Sequence, residues 1–233
     1  MQSFMNRDTL RTLLPLLLSL NAGYIDTAGF LGLHGLFTAH VTGNFVTLAA
    51  SLVHGTSGAL AKLLALPVFC AVVISVRLLG TLLANSGAPV FETLVALKVV
   101  LLATGAALAI HYGPFQDGDH WQAILTGMVL VSAMAIQNAV HRVHLASAPP
   151  STLMTGTTTQ IMLDLADKIY TRQEDEKRAP SKLVPMSVNI LVFALGCAFA
   201  ALAYLRYGMW CFAVPPALGL LALIFRLASR PPA

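Results

Sequence analysis

HVTGNFVTLAASL, from His40 to Leu52, and LMTGTTTQIMLDL, from Leu153 to Leu165, are the two stretches on which the fold turns. Each sets a Thr-Gly pair, Thr42-Gly43 or Thr155-Gly156, at the head of an apolar run too short to cross a bilayer. A crossing helix needs about 20 apolar residues for about 30 Å of hydrocarbon. The first run, 41–54, covers only about 20 Å at the helical rise per residue. The second, 152–169, carries Asp164, Asp167 and Lys168 near its end, so its apolar part is no longer. Both read as half-helices.

Six longer apolar segments surround them, at 12–35, 60–84, 90–111, 121–140, 184–205 and 209–227. Of the 233 residues 57% are hydrophobic and only 10% charged, against about 25% charged in an ordinary soluble domain. The bilayer is therefore the expected solvent, and an all-α integral membrane protein the expected class. The net charge of +4 comes almost entirely from Lys and Arg in connections and at the chain ends; it points to membrane topology and away from nucleic acid. The first apolar segment runs past signal-peptide length with no Ala-x-Ala site after it, and is expected to be a retained span. Cys70, Cys197 and Cys211 lack CxxC or metal spacing and read as small core residues.

The distribution of basic residues decides whether the short segments cross. The loop from Arg172 to Lys182 (RQEDEKRAPSK) and the tail with Arg226 and Arg230 are basic and belong in the cytoplasm. The loop from Tyr112 to His120 (YGPFQDGDH) has two aspartates and no Lys or Arg, and belongs outside. These placements conflict if all eight segments cross. They agree if the two short ones enter and leave on one side, with both termini cytoplasmic. The expectation is six transmembrane helices plus two re-entrant half-helices in one membrane domain, 1–233.

The two halves, 12–111 and 121–227, share the order long, short, long, long. Three spans per half is an odd number, so the second copy must be inverted: a 3+3 inverted repeat. Such repeats with paired half-helices recur in transporters and channels. Non-helical backbone at membrane depth is tolerated only inside protein or along a water-filled cavity. A cavity is expected where the two breaks meet, with Thr42, Gly43 and Asn44 on one side and Thr155, Gly156 and Thr157 on the other. Small-residue helix packing is the plainer explanation of each Thr-Gly pair.

Intramembrane polar groups lie upstream of both breaks: Asn21 and Asp26 in one half, Gln137 and Asn138 in the other. Asp26 is the sharpest of them. A carboxylate at that depth must be paired, solvated or protonated, so it is either a coupling group or a cap on a neighbouring helix break. Ala28, Gly32 and Gly35 form a small-residue stripe suited to close helix contact, and such stripes permit a homodimer. Lys98 and Arg77 lie in apolar runs toward the cytoplasmic ends of their helices, where their stems can snorkel. Glu92 is expected at the interface as a partner for one of them. His40 precedes the first Thr-Gly and can face the site; His141 and His144 read as polar helix ends. No metal spacing, P-loop, GxSxG, HExxH or GxGxxG is present, and no cofactor is expected.

The run GYIDTAGFLGLHGLFTAHVTGNFVTLA, Gly23 to Ala49, together with LMTGTTTQIMLDLA, Leu153 to Ala166, resembles the YoaK-like family of bacterial inner-membrane proteins. The resemblance implies a multi-pass protein of the bacterial inner membrane and supplies no substrate. The residues themselves lead to a secondary transporter, proton-coupled or not, for a small polar or anionic metabolite. A passive channel of the same architecture is the alternative. An intramembrane hydrolase using Asp26 with His40 is the third reading, and nothing else in the chain supports it.

Overall fold

The computed structural model describes residues 7–170 and 183–228, and every regular element in them is helical. In chain order these are α1 (Arg7–Gly32), α2 (Asn44–His54), α3 (Ala59–Asn85), α4 (Val90–Tyr112), α5 (Trp121–His144), α6 (Met154–Tyr170), α7 (Leu183–Tyr207) and α8 (Val214–Ala228). A 3₁₀ turn, Val41–Gly43, leads into α2, and another, Gly208–Ala213, leads into α8. The charged loop 172–182 and Arg230, which carried much of the topology argument, lie outside the described residues.

Local chemistry sets the helix ends. α1 stops at Gly32 because His34 (φ 53°) and Gly35 (φ 82°) turn left-handed, and the Gly35 N–H reaches back to the Phe30 carbonyl at 2.9 Å. His34 tolerates that conformation because its ring is held on both sides, Nε2 at 2.9 Å from the Phe115 carbonyl and Nδ1 at 3.1 Å from Ser57 Oγ. Gly35 therefore belongs to a turn and not to the helical stripe expected at Ala28, Gly32 and Gly35. The first turn of α3 is capped from a distant loop: the Asp119 carboxylate accepts from the N–H groups of Gly58 and Leu60 at 2.9 and 2.7 Å. An anion is favourable there, where helix N–H groups lack intrahelical partners.

The long helices form one bundle. α1 lies along α7, α5 along α3, α4 against α5 and α8, and α8 against α1, while the short α2 and α6 rest on α3 and α7 respectively. The α1–α7 contact is backbone-close. A Cβ on Gly23 would stand 2.2 Å from the Phe193 carbonyl oxygen, and one on Gly196 would stand 2.2 Å from that of Leu20. Burial separates inner from outer helices: 61% of the apolar window of α5 is enclosed, against 22% for α3.

Among the described residues, four helical stretches are long and apolar enough to cross a membrane: Ala59–Asn85, Val90–Tyr112, Trp121–His144 and Leu183–Ala228, the last including α7 and α8. α1 falls outside this set because Ser19, Asn21 and Asp26 dilute its apolarity, and all three are buried in the bundle. α2 has 11 residues, about 16 Å of helix. α6 has 17, about 25 Å, of which only Thr157 and Ile161 are buried.

Three sequence expectations are corrected by the packing. Lys98 does not snorkel: it is 1% exposed and its Nζ donates to Gln137 Oε1 at 2.5 Å, because its side of α4 is the side laid against α5. Glu92 pairs with neither Lys98 nor Arg77 but with Arg226 of α8 at 3.1 Å, and is itself buried. Cys70 is exposed and Cys197 half-buried, so only Cys211 is a core residue.

Candidate functional site

The backbone between α1 and α2 is not helical, and its polar groups are satisfied by side chains. Asp26, 4% exposed, does most of this. Its Oδ1 accepts from the N–H groups of Thr38 at 2.8 Å and Ala39 at 2.6 Å and from the Thr38 hydroxyl at 3.2 Å. Its Oδ2 accepts from the His40 N–H at 3.2 Å and from His40 Nδ1 at 2.5 Å. Asn44, in the first turn of α2, completes the set: Oδ1 accepts from the Phe37 N–H and Nδ2 donates to the Phe37 carbonyl, both at 2.8 Å. Both groups are spent on the break. The geometry is that of a cap, one of the two roles the sequence left open for Asp26.

The break before α6 is held in the same manner. Asn189 of α7 donates to the Pro150 carbonyl at 2.9 Å and accepts from Ser19 of α1 at 2.5 Å. Gln137 of α5 donates to Ser151 Oγ at 3.2 Å and to the Leu18 carbonyl at 2.9 Å. The Thr152 hydroxyl donates to Asn138 Oδ1 at 2.6 Å, and Asn138 Nδ2 to the Met134 carbonyl at 3.0 Å. Polar partners 12 to 14 residues upstream thus secure each break, Asp26 the first and Gln137 with Asn138 the second. The two breaks approach each other here, with the His40 ring near the Thr152 backbone. The ring also meets Phe193 in a T-shaped contact, with centroids 5.4 Å apart.

A cleft of about 460 Å³ opens beside this junction. Asp26, His40 and Gly43 line its polar side, and Phe30, Phe37 and Phe193 its apolar walls. A separate groove of about 500 Å³ runs along α6, bordered by Thr155, Thr158 and Thr159 with Met162 and Leu163. The sequence expected both Thr-Gly pairs at one cavity. Gly43 borders the first cleft and Thr155 the second groove, while Thr42 and Gly156 lie on exposed surface and Thr157 is buried with its hydroxyl on the Leu153 carbonyl. Asn21 faces α8, with neither amide atom partnered among the described residues.

Gly156 allows a direct check on its motif. A Cβ there would meet nothing within 4 Å, so Gly156→Ala should raise stability by about 0.5–1 kcal/mol through helix propensity. A thermal-unfolding midpoint that rises is the expected result. A midpoint that falls would show that Gly156 serves a purpose that helix propensity does not describe.

Four contributors were missed in the sequence: Ser19, Ser151, Thr152 and Asn189. Asn189, in the apolar run SVNILVF, had a signal, since polar residues inside a membrane segment are rare without a partner or function. Lys98 was seen but given the wrong environment. A buried ammonium without a carboxylate costs on the order of several kcal/mol, and no acidic group lies within ion-pairing distance of it among the described residues.

Apolar helices of spanning length, enclosing two side-chain-capped backbone breaks, define a multi-pass helical membrane protein. The chain belongs to the family described as "Protein of unknown function (DUF1275)", which it matches over residues 14–225. It is 26% identical over 195 residues to the UPF0700 transmembrane protein YoaK of Bacillus subtilis (strain 168), covering 83% of this chain and 84% of that protein. The resemblance carried by the two Thr-Gly runs is thus one of family. No solved structure matches the chain.

Proposed function

We propose that the protein is a secondary transporter of a small polar or anionic metabolite in the bacterial inner membrane, with six spans, two re-entrant segments (α2 and α6) and both termini cytoplasmic. The observation that carries this reading is an exchange symmetry in the packing. Swapping α1 with α5, α2 with α6, α3 with α7 and α4 with α8 returns the same principal contacts: α1–α7 becomes α5–α3, α4–α5 becomes α8–α1, and α2–α3 becomes α6–α7. The side-chain support of the breaks follows the same exchange. This supports two structural repeats, 12–111 and 121–227, and the odd number of spans in each makes them inverted. Repeats of this kind place solute sites where broken helices meet.

In this reading the solute passes the His40–Thr152 junction. Asp26 with His40 is the gating or coupling pair, and Asn21, Gln137 and Asn138 line the path beyond it. Of the two Thr-Gly runs, Gly43 stands at the cleft beside this junction and Thr155 at the separate groove along α6. A gate built from a cap is physically economical, because any change in the Asp26–His40 bond is felt at once by the backbone that Asp26 holds.

Uptake into proteoliposomes tests the proposal, using a panel of small organic anions and neutral metabolites with and without a pH gradient. Saturable uptake driven by the gradient and lost in Asp26→Asn is the expected result. Flux that ignores both the gradient and the substitution would make the protein a channel. No flux across the panel would remove the transport reading.

A further inference from the structure

The outer face of α3 carries a cation that the fold does not neutralise. Ile74, Leu78 and Leu82 are exposed along one stripe of this helix, and Arg77 is exposed beside them, one turn after Ile74. A guanidinium keeps its charge in any protein environment. The Arg77 side chain has no ion pair or hydrogen bond among the described residues; only its carbonyl is used, by the Thr81 hydroxyl at 3.1 Å. Glu92, one of the two partners the sequence offered it, is paired with Arg226 instead. A cation among lipid-facing apolar side chains is costly without a countercharge.

Contacts place Arg77 at the edge of a charged cluster. One turn beyond it, a Cβ on Gly80 would lie 3.5 Å from Val90, so this face of α3 meets the start of α4. Next to Val90, the Phe91 ring carries the Arg226 guanidinium of α8 at 4.7 Å from its centroid and meets the His144 ring of α5 in a T-shaped contact at 5.7 Å. The charges of Arg226, Glu92 and Arg77 all bear on that exposed imidazole. α3, α5 and α8 finish at this end of the bundle and α4 begins there. Among these residues two guanidiniums face a single carboxylate, so positive charge is in excess before His144 is counted.

The surface next to the cluster is apolar. From Arg77 back toward the start of α3, the exposed stripe continues through Ile74, Cys70, Pro67 and Leu63, about 20 Å of helix. We propose that this end of α3 binds an anionic phospholipid, with its phosphodiester at Arg77 and Arg226 and its acyl chains along the stripe from Ile74 to Leu63. A guanidinium forks onto phosphate oxygens, and basic residues gathered from several helices at the cytoplasmic side suit acidic headgroups. The stripe favours a lipid over free phosphate, and the excess charge favours an anionic lipid over a zwitterionic one. The site lies apart from the His40–Thr152 junction and does not depend on the transport reading.

The test is the thermal-unfolding midpoint of the full-length protein in a neutral detergent, titrated with phosphatidylglycerol, with phosphatidylcholine of the same acyl chains, and with inorganic phosphate. A ligand that binds only the folded state raises the midpoint saturably. The expected result is such a rise with phosphatidylglycerol alone, and at least a ten-fold higher half-saturating concentration in Arg77→Gln. Arg77 is exposed, so this variant should fold; Arg77→Lys, which keeps the charge and loses the fork, should fall between it and wild type. Arg206→Gln, at the far end of α7, should titrate as wild type does. An equal rise with phosphatidylcholine, no rise with phosphatidylglycerol, or a titration unchanged in Arg77→Gln overturns the proposal. A matching response to inorganic phosphate overturns the lipid assignment. An equal weakening in Arg206→Gln overturns the site, because net charge alone would then draw the lipid.

Discussion

Asp26→Ala should lower the unfolding midpoint of the detergent-solubilised protein by roughly 10–15 °C. The methyl group leaves the N–H groups of Thr38 and Ala39 buried and unpaired, and each such loss costs about 1–3 kcal/mol. It also strips the His40 Nδ1 of its acceptor. For a chain of this size each kcal/mol moves the midpoint by roughly 2–4 °C. Asp26→Asn should cost less than half as much, because its Oδ1 can still accept from Thr38 and Ala39, while the two His40 contacts at the other oxygen are lost. The pair of variants separates two roles. If Asn restores most of the stability but none of the uptake, the carboxylate has a function beyond capping. If the Ala and Asn variants melt together, the charge of Asp26 and not its acceptor geometry holds the break.

The second large effect falls at the α1–α7 contact. In Gly196→Ala the new Cβ would stand 2.2 Å from the Leu20 carbonyl oxygen and 3.0 Å from the Tyr24 nitrogen. Both obstacles are helix backbone, so no rotamer change relieves them and the two helices must move apart. The cost belongs at the upper end of the overpacking range, about 3 kcal/mol, and Gly196→Val should yield little folded protein. Gly23→Ala meets the Phe193 carbonyl at the same 2.2 Å and should behave alike. Gly105→Ala is the informative contrast, since its Cβ would meet the tip of the Leu130 side chain at 2.3 Å, which can turn aside. Midpoints by differential scanning fluorimetry should rank Gly196 and Gly23 well below Gly105. Equal losses at all three would mean that the α1–α7 contact is no more rigid than the rest of the core.

Much of the helical plan was legible. The long apolar runs mark α3, α4, α5, α7 and the α8 stretch to within a few residues, because apolar length alone identifies a helix suited to the membrane. The two short runs mark α2 and α6 for the same reason. Asp26 also stood out, since a carboxylate in an apolar run demands an explanation wherever the chain folds. Its partners did not stand out: Thr38 and Ala39 donate through backbone atoms, which every residue carries. The Pro150–Thr152 hub was missed for a related reason. Its importance comes from Asn189, Gln137 and Asn138 converging from two other helices, and no local pattern announces such a meeting.

Lys98 shows most plainly where the sequence stops. A lysine some residues inside an apolar helix can reach outward to the interface or inward to a partner, and hydropathy is the same for both. By itself the sequence determined that this chain is a bundle of membrane-length helices interrupted twice, because the bilayer imposes length and apolarity on each segment separately. Only the tertiary structure decided which way each helix faces. It joined the breaks at His40 and Thr152, spent Asp26 and Asn44 on backbone, and turned Lys98 toward Gln137. Facing is a property of pairs of helices, and it follows from how glycine-lined surfaces such as Gly23 and Gly196 fit against one another.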